Sequence, residues 1–175
     1  MSALWILGFL LVERVLEIIV SDRNLRILRR RGGRECHPHS WQRIAVLHAM
    51  FQISLWVESY PWHLSWNLLT QAPLAILILL QVGRFWCMAS LGDCWNTRIA
   101  VVPGAALLRL GPYRWLRHPN YLIVVLEFAL LPLLLRSPWT GIIFFPLNLL
   151  LLRQRIRFEE SALRLTATDE KNCVG

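Results

Sequence analysis

"YLIVVLEFALLPLLLRSPWTGIIFFPLNLLLL", residues 121–152, is apolar apart from Glu127, Arg136, Ser137, Thr140 and Asn148. As one helix it would be about 48 Å long at 1.5 Å per residue. The hydrocarbon core of a bilayer is only about 30 Å thick. Arg136-Ser137-Pro138 resolves the conflict, because proline disfavours helical backbone at the residue before it. The stretch therefore predicts two antiparallel helices, 121–135 and 139–152, joined by a tight turn. Each is short alone, so the ends borrow flanking residues such as Arg153.

Further apolar runs lie upstream at 3–20, 44–57 and 68–91. The second is the weakest, since it holds His48, Gln52 and Ser54. A soluble domain of this size shows shorter apolar runs with polar faces. With 55 % hydrophobic residues and nine tryptophans arranged this way, the chain reads as an all-α integral membrane protein with five transmembrane helices and a C-terminal helical hairpin. One domain, 1–175, is expected; no internal repeat or low-complexity segment divides it. The N-terminal run lacks a basic n-region and a small-residue cleavage site, so it reads as a retained first span rather than a signal peptide.

Sixteen of the nineteen Lys and Arg residues fall in three segments: 21–43, 92–118 and the tail from Arg153. Five spans place all three on one side of the bilayer, and the positive-inside rule makes that side cytoplasmic. The expected topology is N-terminus outside and C-terminus inside, in a bacterial plasma membrane. The loop Tyr60-Pro61-Trp62-His63-Leu64-Ser65-Trp66 has the aromatic composition of the opposite interface. The formal charge of +8 does not imply a nucleic-acid partner, because the arginines track the membrane segments. Four cysteines (Cys36, Cys87, Cys94, Cys173) show no paired short spacing, and no disulfide framework is expected. Cys36-His37-Pro38-His39 offers three potential ligands at a spacing that fits no known metal site, so no metal is expected.

Two polar stretches flank the hairpin. "GPYRWLRHPNY", 111–121, precedes it. Gly111-Pro112 marks a turn and Pro119 suits a first helical turn. His118, Asn120 and Tyr121 then stand at a helix N-terminus, which favours an anion. The alternative is an interfacial anchor of Arg, Tyr and Trp. "RQRIRFEESAL", 153–163, follows the hairpin. If the helix continues, Arg155 and Glu159 share a face at i, i+4. The hairpin returns them to the membrane surface that carries His118. An anion-favouring helix start, an arginine and a carboxylate beside lipid suit a zwitterionic ligand with a lipophilic partner. The plainer alternative is a surface ion pair.

Gly-Pro-Tyr, then Arg-His-Pro-Asn-Tyr, a helical hairpin, then Arg155 and Glu159-Glu160 together resemble the isoprenylcysteine carboxyl methyltransferase family. The resemblance covers about residues 90–165. It implies a cytoplasmic cofactor site for S-adenosyl-L-methionine, with Ala105, Ala106, Leu107, Leu108, Tyr113, His118, Pro119, Asn120, Tyr121 and Glu159 as cofactor-binding positions. Arg155 falls on the family's substrate-binding arginine. Ala105 and Ala106 depart from relatives that often place histidine and threonine there. "ERVLEIIVSDRN" (13–24) and "RRRGGRE" (29–35) are similar to a bacterial subgroup that O-methylates alkylpyrones or alkylresorcinols.

The implied activity is O-methylation of a lipophilic small-molecule acceptor at the lipid bilayer. That acceptor is either a polyketide-derived phenol or enol, or a prenylcysteine-type carboxylate. Arg155 serves either, gripping a carboxylate or stabilising an oxyanion. His118 is a candidate base only for a phenol. Glu13, Arg14, Glu17, Arg84 and Glu127 lie within spans, where charge is costly. They either pair between helices, Glu17 with Arg84 for instance, or line a substrate channel. Two rival readings are a nonenzymatic membrane scaffold and an NADPH-dependent sterol-type reductase. Retention of Arg155, Glu159 and His118 opposes the first. The second lacks any added nucleotide-binding segment in this chain.

Overall fold

A computed structural model describes residues 3–37, 39–64, 67–102 and 110–172. Five α-helices dominate the described residues: α1 (Leu4–Arg30), α2 (Ser40–Glu58), α3 (Leu68–Leu91), α4 (Pro119–Leu134) and α5 (Pro138–Asn172). The expected helical hairpin is present. α4 and α5 are separated by Leu135–Ser137, and the Ser137 amide donates to the Pro132 carbonyl at 2.8 Å. Arg136 takes a positive φ of 55° in that turn.

α3 has the bounds expected from its apolar run, and α1, α2 and α5 run on past theirs. α5 continues for 35 residues, because "RQRIRFEESAL" contains no Gly or Pro to stop it. One element was not anticipated. β1 (Arg34–Cys36) pairs antiparallel with β2 (Ile99–Val101), with Arg34 opposite Val101 and Cys36 opposite Ile99. Three residues per strand are too few for alternation to show in sequence. The ribbon ties the loop after α1 to the loop after α3, so two of the arginine-rich segments meet at one end of the bundle. The third joins them there, as the His37 and Phe158 rings stack at 4.4 Å.

The helices bury Leu7 and Leu10 of α1, Phe51 and Leu55 of α2, Phe128 and Leu131 of α4, and Phe144 and Leu152 of α5. Phe51 stacks on Phe128 with centroids 4.0 Å apart and meets the edge of Phe144 at 5.8 Å. The outward faces are equally apolar: Trp5, Val12 and Ile19 on α1, Leu79 and Val82 on α3, and Trp139 and Leu150 on α5 are exposed. Apolar side chains on both faces of a helix suit lipid as the surrounding medium. Among the described residues one helical stretch, Thr70–Cys94, is long and apolar enough to cross a membrane alone; Pro119–Leu134 is apolar but shorter.

At the far end of the bundle Glu58 caps α5. Its carboxylate accepts from the Trp139 and Thr140 amides at 2.9 and 2.8 Å and from Thr140 Oγ1 at 2.6 Å. Pro138 at the helix start has no amide hydrogen to satisfy. The cap fixes the end of α2 against the start of α5 and so sets how far α5 projects at the other end.

Candidate active site

Pro119 is the first residue of α4, and its ring presets the helical φ. That start aims Tyr121 at α5. The Tyr121 hydroxyl donates to Glu159 Oε2 at 2.5 Å and accepts from Arg155 Nε at 2.8 Å. One phenol thus bridges two side chains four residues apart on one helical face. The His118 ring stacks on Tyr121 at 5.2 Å, with Nδ1 3.9 Å from Glu159 Oε2. Arg155 is buried and its Nη2 donates to the Thr97 carbonyl. The bonds from Nε and Nη2 use two of its five N–H groups.

Thr97 is held in turn by α1. Ser21 Oγ accepts from the Thr97 amide at 3.1 Å and donates to Asn96 Oδ1 at 2.8 Å. Asn24 Nδ2 donates to the carbonyls of Trp95 and Gly92 at 2.7 and 3.1 Å. The polar face of the last turns of α1 therefore clamps the 92–97 loop onto Arg155. Gly111 locks the other loop. Its φ is 52°, and a Cβ there would lie 2.1 Å from Ser90 Oγ, so only glycine lets the 111–114 turn sit on the end of α3.

Two cavities meet at this network. The larger, about 290 Å³, runs between α1, α2, α4 and α5. It is walled by apolar residues such as Leu11, Ile18, Ala45, Val124 and Leu152, with Arg14, His48 and Glu127 partway along. The smaller, about 140 Å³, is bounded by Leu91, Cys94, Arg98, β2, Tyr113, Arg117, His118 and Glu159. Trp95, Asn96, Asn120, Tyr121 and Arg155 line both. Burial, with the Cys87 thiol and the Glu159 carboxylate nearby, pushes the Tyr113 phenol up, so it stays protonated and available as a donor at neutral pH. Asn120 Oδ1 is buried without a hydrogen-bond partner among the described residues. A buried amide oxygen in that condition calls for a ligand donor.

The structure brings Tyr113, His118, Asn120, Tyr121, Arg155 and Glu159 together around the smaller cavity. Pro119 sets the helix start without lining either space. His118 borders the smaller cavity and not the larger. Arg155, expected at the acceptor, borders both. Ala105, Ala106, Leu107 and Leu108 lie outside the described residues. Sequence reasoning missed Trp95, Asn96 and the Thr97 carbonyl. A backbone acceptor leaves no trace in residue type, and Asn-Thr in a loop reads as an ordinary turn.

The five charged residues expected within spans form one network on the larger cavity's flank. Arg84, fully buried, donates to Glu17 at 2.7 Å and to Glu127, with Glu13 at 3.6 Å. Arg14 pairs with Glu17 at 2.6 Å and Glu127 at 2.8 Å, and Gln81 donates to Glu127 at 2.9 Å. Glu17 and Arg84 pair between helices, while Arg14, Glu17 and Glu127 also line the cavity.

Residues 73–165, from α3 to the middle of α5 and just over half of the chain, match the isoprenylcysteine carboxyl methyltransferase (ICMT) family. The chain belongs to that family. The match ends beyond Glu159 and contains the whole Tyr121–Arg155–Glu159 network. Similarity to individual proteins extends further upstream. The uncharacterized protein YpbQ of Bacillus subtilis is 36 % identical over 161 residues, covering 91 % of this chain and 96 % of its own length. An uncharacterized protein of Haemophilus influenzae is 28 % identical over 155 residues, covering 88 % of this chain and 90 % of its own. An ICMT-family chain is a membrane methyltransferase by kinship, and the apolar outer surface agrees with membrane residence.

Proposed function

We propose that this protein is an S-adenosylmethionine-dependent O-methyltransferase whose acceptor is a lipophilic phenol or enol drawn from the bilayer. The observation that supports it best is the meeting of a polar and an apolar cavity at Tyr121 and Arg155. The smaller cavity suits a zwitterionic, polar cofactor: Glu159 opposes an ammonium, His118 and Arg117 face a carboxylate, and Asn120 Oδ1 awaits a donor. Bound S-adenosylmethionine supplies an electrophilic methyl group on a sulfonium. The protein's contribution is to align the acceptor oxygen from the other cavity at near-attack distance, about 3–3.5 Å.

The carboxylates of Glu17 and Glu127 on the wall of the larger cavity favour an acceptor that enters neutral over one that enters as a carboxylate. Tyr121 and Thr97 take one Arg155 N–H each, from Nε and Nη2, which leaves three of the five guanidinium N–H groups for an acceptor oxygen. The fixed Arg155 cation lowers the pKa of a phenol placed beside it. The apolar length of the larger cavity takes the acceptor's tail.

Five spans, with the arginine-rich end cytoplasmic and the N-terminus outside, complete the proposal. It is supported by the gathering of residues 34–36, 97–101 and 155–159 at one end of the bundle. The test is incubation of purified protein with methyl-labelled S-adenosylmethionine and a panel of lipid phenols, pyrones and prenylcysteines. A labelled phenol or enol ether is the expected product. A labelled prenylcysteine ester alone replaces the acceptor class, and absence of label from every compound overturns the enzymatic reading.

A further inference from the structure

The larger cavity is not uniformly apolar, and one side chain on its wall is poised for a ligand. His48 of α2 lines it, held edge-on against Phe128 at 5.0 Å. Its Nδ1 lies 2.8 Å from the Ile44 carbonyl. A carbonyl only accepts, so Nδ1 carries a proton; the apolar wall and the Arg14 cation beside it disfavour a second one, which leaves Nε2 a bare acceptor. That atom has no partner among the described residues. Arg14 stands on the same cavity wall, its Nη1 and Nη2 already given to Glu17 and Glu127. An anion entering here would meet two carboxylates, and a purely hydrocarbon tail would leave the imidazole nitrogen unsatisfied. A neutral hydroxyl satisfies it.

The depth of this point follows from the helices. Ile44 and Arg155 border one small space between α2 and α5. His48 lies about one helical turn further along α2, about 6 Å deeper. We propose that His48 Nε2 accepts a hydrogen bond from a second, neutral hydroxyl on the acceptor, about one helical turn from the oxygen that is methylated, and so selects acceptors carrying two such groups. This rests on the acceptor-site reading given above and names its specificity residue.

The test compares an alkylphenol bearing one hydroxyl with its dihydroxylated counterpart, in the wild type, His48→Phe and His48→Gln. A net hydrogen bond corresponds to roughly a three- to tenfold preference in kcat/KM. The wild type is expected to prefer the dihydroxylated compound by that factor, through KM. His48→Phe should bring the ratio close to one. His48→Gln, whose amide oxygen also accepts, should restore part of it. S-adenosylmethionine affinity by calorimetry should hold within about twofold in both variants, since His48 does not border the smaller cavity. A preference that persists in His48→Phe overturns the inference and leaves the methyltransferase reading standing. Equal loss on both compounds, unrescued by glutamine, overturns it as a packing effect. No methylation of either compound by the wild type removes the acceptor reading and this inference with it.

Discussion

Tyr121 holds the site together through one oxygen, which serves both Glu159 and Arg155, the proposed cofactor and acceptor contacts. The two carriers should separate under substitution. Arg155→Lys keeps the charge but cannot span Tyr121 and Thr97 while presenting a further N–H to the acceptor. Turnover should fall while S-adenosylmethionine affinity stays within about threefold, less than roughly 0.7 kcal/mol. Tyr121→Phe strips a partner from both side chains and should lower turnover and cofactor affinity together. Steady-state kinetics paired with calorimetry distinguish the two patterns. The acceptor leaves its own signature at this scale. A phenol or enol must lose a proton, so the rate should rise with pH toward its lowered pKa, whereas a carboxylate would give a flat profile between about pH 6 and 9.

The elements were legible where apolar length and breakers decide them. Leu68–Leu91 is a clean run with Asn67 as its cap, and Arg136-Ser137-Pro138 breaks the hairpin where proline chemistry requires. The β1–β2 ribbon was not legible, because three-residue strands are fixed by the closure of two loops and not by their own pattern. Nor was the cap of α5, since Glu58 is 80 residues away in sequence from the helix it terminates. Glu58→Ala should cost about 1 kcal/mol, read as a lower thermal midpoint in detergent. Burial acts to raise the Glu58 carboxyl, but hydrogen bonds from Thr140 and Trp139 outweigh it and hold its pKa below the ordinary 4.5. The cap's contribution is therefore full above about that pH and fades as pH falls through the lowered value. A melting profile against pH should show the wild-type advantage over Glu58→Ala shrinking on the acid side.

At the scale of the molecule, the larger cavity is flanked by an ion network buried between α1, α3 and α4. Arg84 is enclosed by Glu13, Glu17 and Glu127, and its removal leaves three carboxylates facing Arg14 alone. Arg84→Leu should destabilise the protein by about 3–5 kcal/mol, the cost of breaking a buried ion network from one side. A drop of less than 1 kcal/mol in detergent unfolding would mean that water reaches the network. The sequence marked these five residues as costly but could not place them on one flank, since α1, α3 and α4 are brought together only by packing. The convergence of 118–121 with 155–159 was legible, because a hairpin of two similar lengths must return the chain to its starting surface. The proposed chemistry rests on Glu159 opposing the cofactor's ammonium, and calorimetry with S-adenosylmethionine on the purified protein tests that most directly. Wild type should bind, and Glu159→Gln, which keeps the size and removes the charge, should bind about ten- to a hundredfold more weakly, as expected for a charge-assisted hydrogen bond of roughly 1.5–3 kcal/mol; Glu160→Gln should differ little, since it points about 100° away on the helix. Absence of binding to the wild type, or equal affinity in folded Glu159→Gln, would contradict the assignment.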